Sequence, residues 1–131
     1  MCTELQMLVW GIVLGLVQIA ISATLSTRQR GMAWNVGARD GEPSALTGVA
    51  ARMDRALRNF LETFPLFAAA VLVLVVSQRG NERTALGAQI WFWARVAYVP
   101  LYAAGIPYVR TLVWGASIAG LAMVLLPLFR A

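Results

Sequence analysis

Four polar side chains, Arg55, Arg58, Asn59 and Glu62, stand in the short stretch 55–62 and are followed at once by Thr63-Phe64-Pro65-Leu66-Phe67 and a long apolar run. A helix turns about 100° per residue, so all four fall within about 100° of one another on one face. Further along, Trp91, Arg95, Tyr98 and Tyr102 follow at steps of four, three and four, the spacing that stacks side chains on one side of a helix. Arg110 then leads Trp114 and Ser117 on a third face. These residue types suit the binding of a small charged molecule. Guanidinium groups grip carboxylates with a planar donor fork, and a carboxylate such as Glu62 accepts from an ammonium. Arg52, Arg55, Arg58, Arg95 and Arg110 face only Asp54 and Glu62, a surplus of positive charge that an anionic ligand relieves. The alternative is a network that satisfies itself, with Glu62 paired to Arg55 or Arg95 and tyrosine hydroxyls bonded to backbone carbonyls.

The medium around these residues sharpens the point. The 131 residues are 60% hydrophobic and 13% charged, with a mean hydropathy of +0.69, the composition of a membrane protein. An ionisable group in a membrane helix costs at least about 2.5 to 3.5 kcal/mol at the bilayer centre, so such groups face a bundle interior, a cavity or a partner. All eleven basic residues are arginine, a bias read as genome composition more than as function. There is no histidine and Cys2 is the single cysteine, so no metal site, haem site or histidine-dependent triad is expected and no intrachain disulfide can form. The net charge of +5 comes from arginines scattered along apolar segments. That distribution argues against nucleic-acid binding.

Four apolar segments, roughly 5–25, 61–77, 85–104 and 111–129, each approach the about 20 residues that cross the hydrocarbon core. One domain covering 1–131 is expected, an all-α four-transmembrane-helix bundle. No Gly or Pro interrupts Val49–Phe64, so the helix of the second segment is expected to begin near Ala45 and to carry the polar face and the apolar run together. Segment 5–25 reads as a span rather than a leader, because Met1–Gln6 carries only Glu4 and lacks a basic flank. The stretch Ser26–Ser44 has loop chemistry, including Asn35-x-Gly37-x-Arg39-Asp40, and Gln78–Arg83 and Gly105–Pro107 read as turns. Arg28, Arg30, Arg39 and Arg110 gather on the side of the first and third loops, which the positive-inside rule puts in the cytoplasm with both termini outside. A multi-pass protein of a bacterial inner membrane is expected. Gly11-x-x-x-Gly15 and Gly115-x-x-x-Ala119 allow close helix approach, within a subunit or between subunits.

The run Arg55-x-x-x-Asn59-x-x-Glu62-x-x-Pro65-x-Phe67, with Ala94-Arg95-x-x-Tyr98-x-x-x-Tyr102 and Arg110 after it, resembles the MAPEG family, the membrane-associated proteins in eicosanoid and glutathione metabolism. The resemblance runs from about Arg52 to Trp114. It implies a homotrimer that binds glutathione between neighbouring subunits near the cytosolic face. By position Arg55, Asn59 and Glu62 would hold the glutathione backbone, with Arg58, Arg95, Tyr98 and Tyr102 as further contacts, and Arg110 would be the catalytic residue that stabilises the thiolate. A guanidinium near sulfur does lower a thiol pKa. Trp114 departs from the family, standing where some members place a tyrosine. The implied activity is a glutathione-dependent transferase or peroxidase whose lipophilic substrate enters from the membrane lipids. A non-catalytic scaffold or accessory subunit of the same family is the competing reading. A transporter or channel ranks third, since the chain shows neither an inverted repeat nor paired broken helices.

Overall fold

A computed structural model describes residues 1–130. They form α1 (Thr3–Arg30), the short α2 (Met32–Val36), α3 (Gly48–Val76), α4 (Glu82–Ala103) and α5 (Val109–Leu125), which ends in a 3-10 turn over Leu126–Phe129. No strand occurs among the described residues. α1, α3 and the helical stretch 109–129 are each long and apolar enough to cross a membrane, with mean hydropathies of 2.1, 2.0 and 2.1 over an 18-residue stretch of each. α4 has the length of a span at 22 residues, but Glu82, Arg83, Gln89 and Arg95 dilute its apolar character.

The four long helices run alternately up and down, and side-chain ties fasten both ends. At one end Thr84 donates through its hydroxyl to Glu4 Oε1 at 2.8 Å, and Arg79 donates to the Pro127 carbonyl at 3.2 Å. At the other, Gln29 and Thr47 exchange two hydrogen bonds of 3.0 Å, and Arg52 Nε donates to the Ala103 carbonyl at 2.8 Å. The latter end gathers the C-termini of α1 and α4 with the N-termini of α3 and α5.

Boundaries differ from the expected ones for local reasons. α3 starts at Gly48 rather than near Ala45, because Thr47 is still extended at φ −129°. The polar face and the apolar run do share this one helix, which carries Pro65 inside it. The stretch Ser26–Ser44, read as loop, is helical through Arg30 and again over Met32–Val36. Gly31, at φ 92°, makes the break between the two. α4 opens at a reciprocal cap in which Asn81 Oδ1 accepts from the amides of Arg83 and Thr84 while the Thr84 hydroxyl accepts from the Asn81 amide. Such a box satisfies backbone donors that a helix start leaves open.

Aromatic rings fill the centre. Phe67 stacks on Trp91 at 3.9 Å and Phe60 on Phe64 at 5.1 Å between centroids. Gly11 and Gly15 let α1 lie on this cluster, since a Cβ at either would come within 3.0 Å of a Phe64 or Phe60 ring carbon. That glycine pair therefore works within the subunit. The second proposed pair does not do the same: Gly115 has no atom within 4 Å of an added Cβ. The close approach of α4 to α5 falls instead at Gly87 and Gly120, where a Cβ would meet the partner's carbonyl oxygen at 2.7 and 2.5 Å. Gly120 lies five residues beyond Gly115 and so on a different face from it.

Backbone atoms cannot swing aside as a side chain can. Gly120→Ala is therefore expected to destabilise the protein by about 1 to 3 kcal/mol, the range for overpacking a filled interior, and to lower the thermal unfolding midpoint in detergent. Gly115→Ala should raise that midpoint or leave it unchanged, because alanine is the better helix former by up to about 1 kcal/mol.

Candidate functional site

Next to the tie between Arg52 and Ala103, α3, α4 and α5 enclose an open cavity of about 390 Å³. α3 contributes Arg55, Arg58, Asn59 and Glu62, α4 contributes Tyr98 and Tyr102, and α5 contributes Arg110, Thr111 and Trp114. Each helix presents these residues by its own periodicity, three or four apart. The short α4–α5 connection brings the third wall in. Gly105 takes φ 73° there, and the Arg52 side chain packs against it at 3.5 Å from where a Cβ would stand.

Tyr102 is the junction of the walls. Its hydroxyl accepts from Arg55 Nε at 3.2 Å, and the Arg110 guanidinium lies over its ring at 4.5 Å. The Tyr98 ring meets it edge-on at 5.5 Å. One tyrosine thus fixes an arginine from α3 and an arginine from α5. Arg58 is bound to Asp54 at 3.2 Å, which is the only ion pair within 4.0 Å among the described residues. Glu62 accordingly has no arginine partner, so the self-satisfied pairing with Arg55 or Arg95 is not the arrangement the chain adopts. The Tyr102 hydroxyl likewise meets an arginine rather than a carbonyl.

Of the eight site residues that the family resemblance implies, seven line this cavity and Arg95 does not. It is 1% exposed and lies behind the wall, with its guanidinium over the Tyr98 ring at 4.6 Å and 5.7 Å from the Phe60 centroid. Its Nε and Nη1 have no hydrogen-bond partner. The four-three-four spacing hides this depth, because Arg95 and Tyr98 share a side of α4 but one reaches the core and the other the cavity. Trp91 is fully buried in the aromatic cluster. Ser117, placed on the Arg110 face by spacing, is also buried and donates to the Trp114 carbonyl at 2.6 Å. Thr111 was not indicated by any motif. Its adjacency to Arg110 is the one signal that points to it.

The chemistry available is that of a polar, cation-rich recess with one free carboxylate. Asn59 lines it, and its Oδ1 is buried without a hydrogen-bond partner, an acceptor left open for a donor from outside the chain. An unmet buried polar atom costs about 1 to 3 kcal/mol, so a ligand donor there is worth that much more than one made in water. Trp114 adds an apolar wall on the α5 side of the recess. Polar floor and apolar flank sit side by side.

Comparison with known proteins agrees with this architecture. The family model of the MAPEG family matches residues 7–129, nearly the whole chain and all three helices that wall the cavity. No individual curated protein and no solved structure matches it. An all-helical chain with three membrane-competent helices, matched by that family model almost end to end, is an integral membrane protein of the MAPEG family.

Proposed function

We propose that the chain is a glutathione-dependent membrane enzyme, a transferase or peroxidase acting on lipophilic electrophiles or lipid hydroperoxides. The convergence of Arg55, Asn59, Glu62, Tyr102 and Arg110 on one cavity carries the reading. Glutathione offers two carboxylates, one ammonium, amide donors and a thiol. The residues present fit it. Arg55 and Arg58 supply donor forks for carboxylates, the unpaired Glu62 accepts from the ammonium, and the open Asn59 Oδ1 takes an amide donor. When bound, it supplies a sulfur nucleophile that either displaces a leaving group at carbon or, with a second thiol, reduces a peroxide O–O bond.

Arg110 is the residue we assign to chemistry. Tyr102 holds its cation at the α5 edge of the recess, between the carboxylate-binding side of α3 and the apolar flank at Trp114. A positive charge at that place favours the ionised form of a thiol and disfavours the neutral one. Trp114 then lines the approach of an apolar substrate. α4 serves as a fourth span in this reading, and three copies assemble with the α3 polar faces inward. The first and third loops face the cytoplasm of a bacterial inner membrane. One observation favours the accessory-subunit alternative. Arg110 already has an aromatic partner at 4.5 Å, and Trp114 brings no hydroxyl to the sulfur position.

The assembly is tested by native mass measurement of the detergent-solubilised protein, which is expected to return a trimer. A clean monomer overturns a site shared between subunits.

Glu62→Gln removes the one carboxylate of the cavity wall while keeping its size. Glutathione affinity by calorimetric titration should fall roughly 10- to 100-fold, the equivalent of about 1.5 to 3 kcal/mol for a charge-assisted hydrogen bond. Unchanged affinity in a folded variant would show that Glu62 has no part in holding the ligand.

Arg110→Ala should lower turnover far more than affinity. The thiolate absorbance of bound glutathione, followed against pH, is expected to shift to an apparent pKa at least about one unit higher, or about 1.4 kcal/mol. A conjugation assay with an aromatic halide should lose kcat in parallel, as expected for an interaction made in the reactive state. Curves that overlay those of the parent protein would assign Arg110 to anchoring alone. If the parent protein itself shows no thiolate signal at saturating glutathione, the accessory-subunit reading replaces the enzymatic one.

A further inference from the structure

A second recess lies where α1 ends, and it shares no residue with the cavity of α3 to α5. Its volume is about 140 Å³, and its walls include Ser26, Thr27, Arg30, Trp34, Asn35 and Arg39. Both arginines are held by their neighbours. Arg30 donates from Nε to the Ser44 carbonyl at 2.8 Å, which leaves both terminal nitrogens uncommitted. Arg39 is clamped to Asn35, with Nε and Nη2 on the carbonyl at 3.2 and 2.9 Å and Nη2 on Oδ1 at 2.7 Å. To reach this position the Arg39 backbone takes φ 58°, a region that few residues other than glycine adopt. Strain of this kind persists only where surrounding contacts enforce it. Neither arginine has a carboxylate within 4.0 Å, although Asp40 and Glu42 are close in the chain. The Ser26 and Thr27 hydroxyls add two donors, and neither is used in a hydrogen bond among the described residues.

Depth in the membrane identifies the class of ligand. α1 has 28 residues, or about 42 Å at 1.5 Å per residue, against about 30 Å of hydrocarbon. Its last turns, with Ser26, Thr27 and Arg30, therefore emerge at the level of the lipid phosphates. Trp34 is half-buried beside them, and indole rings prefer that same interfacial layer. Exposed Met32 and Val36 of α2 offer apolar surface next to the recess. Paired guanidinium forks and hydroxyl donors match the tetrahedral oxygens of a phosphate. We propose that this recess binds the phosphate of an anionic lipid headgroup. The inference stands independently of the glutathione reading, because it uses α1, α2 and the loop after them alone.

The test is retention of added lipid by the purified full-length protein, read by native mass spectrometry. Phosphatidylglycerol and phosphatidylcholine with the same acyl chains are offered in equal amounts. The parent protein should retain at least about fivefold more of the anionic lipid, because basic recesses at this depth select anionic headgroups. Arg39→Gln and the double substitution Arg30→Gln, Arg39→Gln should bring the ratio towards one. Arg39 is exposed, so the single variant carries the test if the double variant fails to fold. Inorganic phosphate in large excess should leave the retained lipid in place. If it strips the phosphatidylglycerol down to the phosphatidylcholine level, the ligand is a soluble phosphate and the lipid assignment is overturned. Equal retention of the two lipids, or an unchanged preference in both variants, overturns the site itself.

Discussion

The cost of putting arginine inside an apolar helical bundle governs the arrangement of this chain. A guanidinium keeps its proton on burial and so cannot escape the cost by becoming neutral. Acidic partners are scarce, and only Arg58 has one within 4.0 Å. Arg52, Arg95 and Arg110 turn to ring faces and a carbonyl oxygen. Arg95 lies over Tyr98, Arg110 over Tyr102, and Arg52 on the Ala103 carbonyl. A cation over an aromatic face gains about 0.5 to 2 kcal/mol, more where water is excluded. α4 supplies both rings: Tyr98 meets Arg95 of its own helix, and Tyr102, one turn on, stands between Arg55 of α3 and Arg110 of α5.

This solution leaves carboxylate-seeking groups without carboxylates, and the consequence is a site rather than a filled core. Had Glu62 closed onto Arg55, the cavity charges would have been spent within the chain. Instead Arg55 donates to a neutral hydroxyl, Arg110 rests on a neutral ring, and Glu62 stays free. A neutral partner holds an arginine in place without cancelling its charge. Pre-placed charge of this kind binds and orients an ion at lower ordering cost than mobile side chains do.

Periodicity explains why so much of the cavity was readable from the sequence. The 55–58–59–62 face and the 98–102 pair obey helical spacing, and the helices that carry them are regular, so the residues arrive where a uniform turn puts them. Depth was less legible. Arg95 and Ser117 lie on the right side of their helices but both are buried, Arg95 with its guanidinium towards Phe60. Contacts between helices obey no spacing rule within one segment. Hence Gly115 was an obvious candidate for close approach while the backbones actually meet at the isolated glycines Gly87 and Gly120. The helix α2 was missed because Gly31 and Gly37 bracket a five-residue turn that has no apolar period of its own.

Packing and chemistry are also divided along the bundle axis. The Phe60–Phe64–Phe67–Trp91 cluster and the Gly87–Gly120 approach lie towards the end that holds the α3–α4 turn. The unmet Asn59 Oδ1 lines the cavity and the unmet Arg95 nitrogens lie behind its wall, while the Trp91 indole Nε1 stays without a partner inside the aromatic cluster. Tight packing of small and aromatic residues supplies stability to helices in lipid, where apolar burial alone gives little advantage. Packing of this kind holds open hydrogen-bonding groups that a less rigid bundle would cover by shifting its helices. Arg52 extends the support across the divide, because its bond to the Ala103 carbonyl holds the α4–α5 turn at the mouth of the cavity and so sets where Arg110 begins its helix.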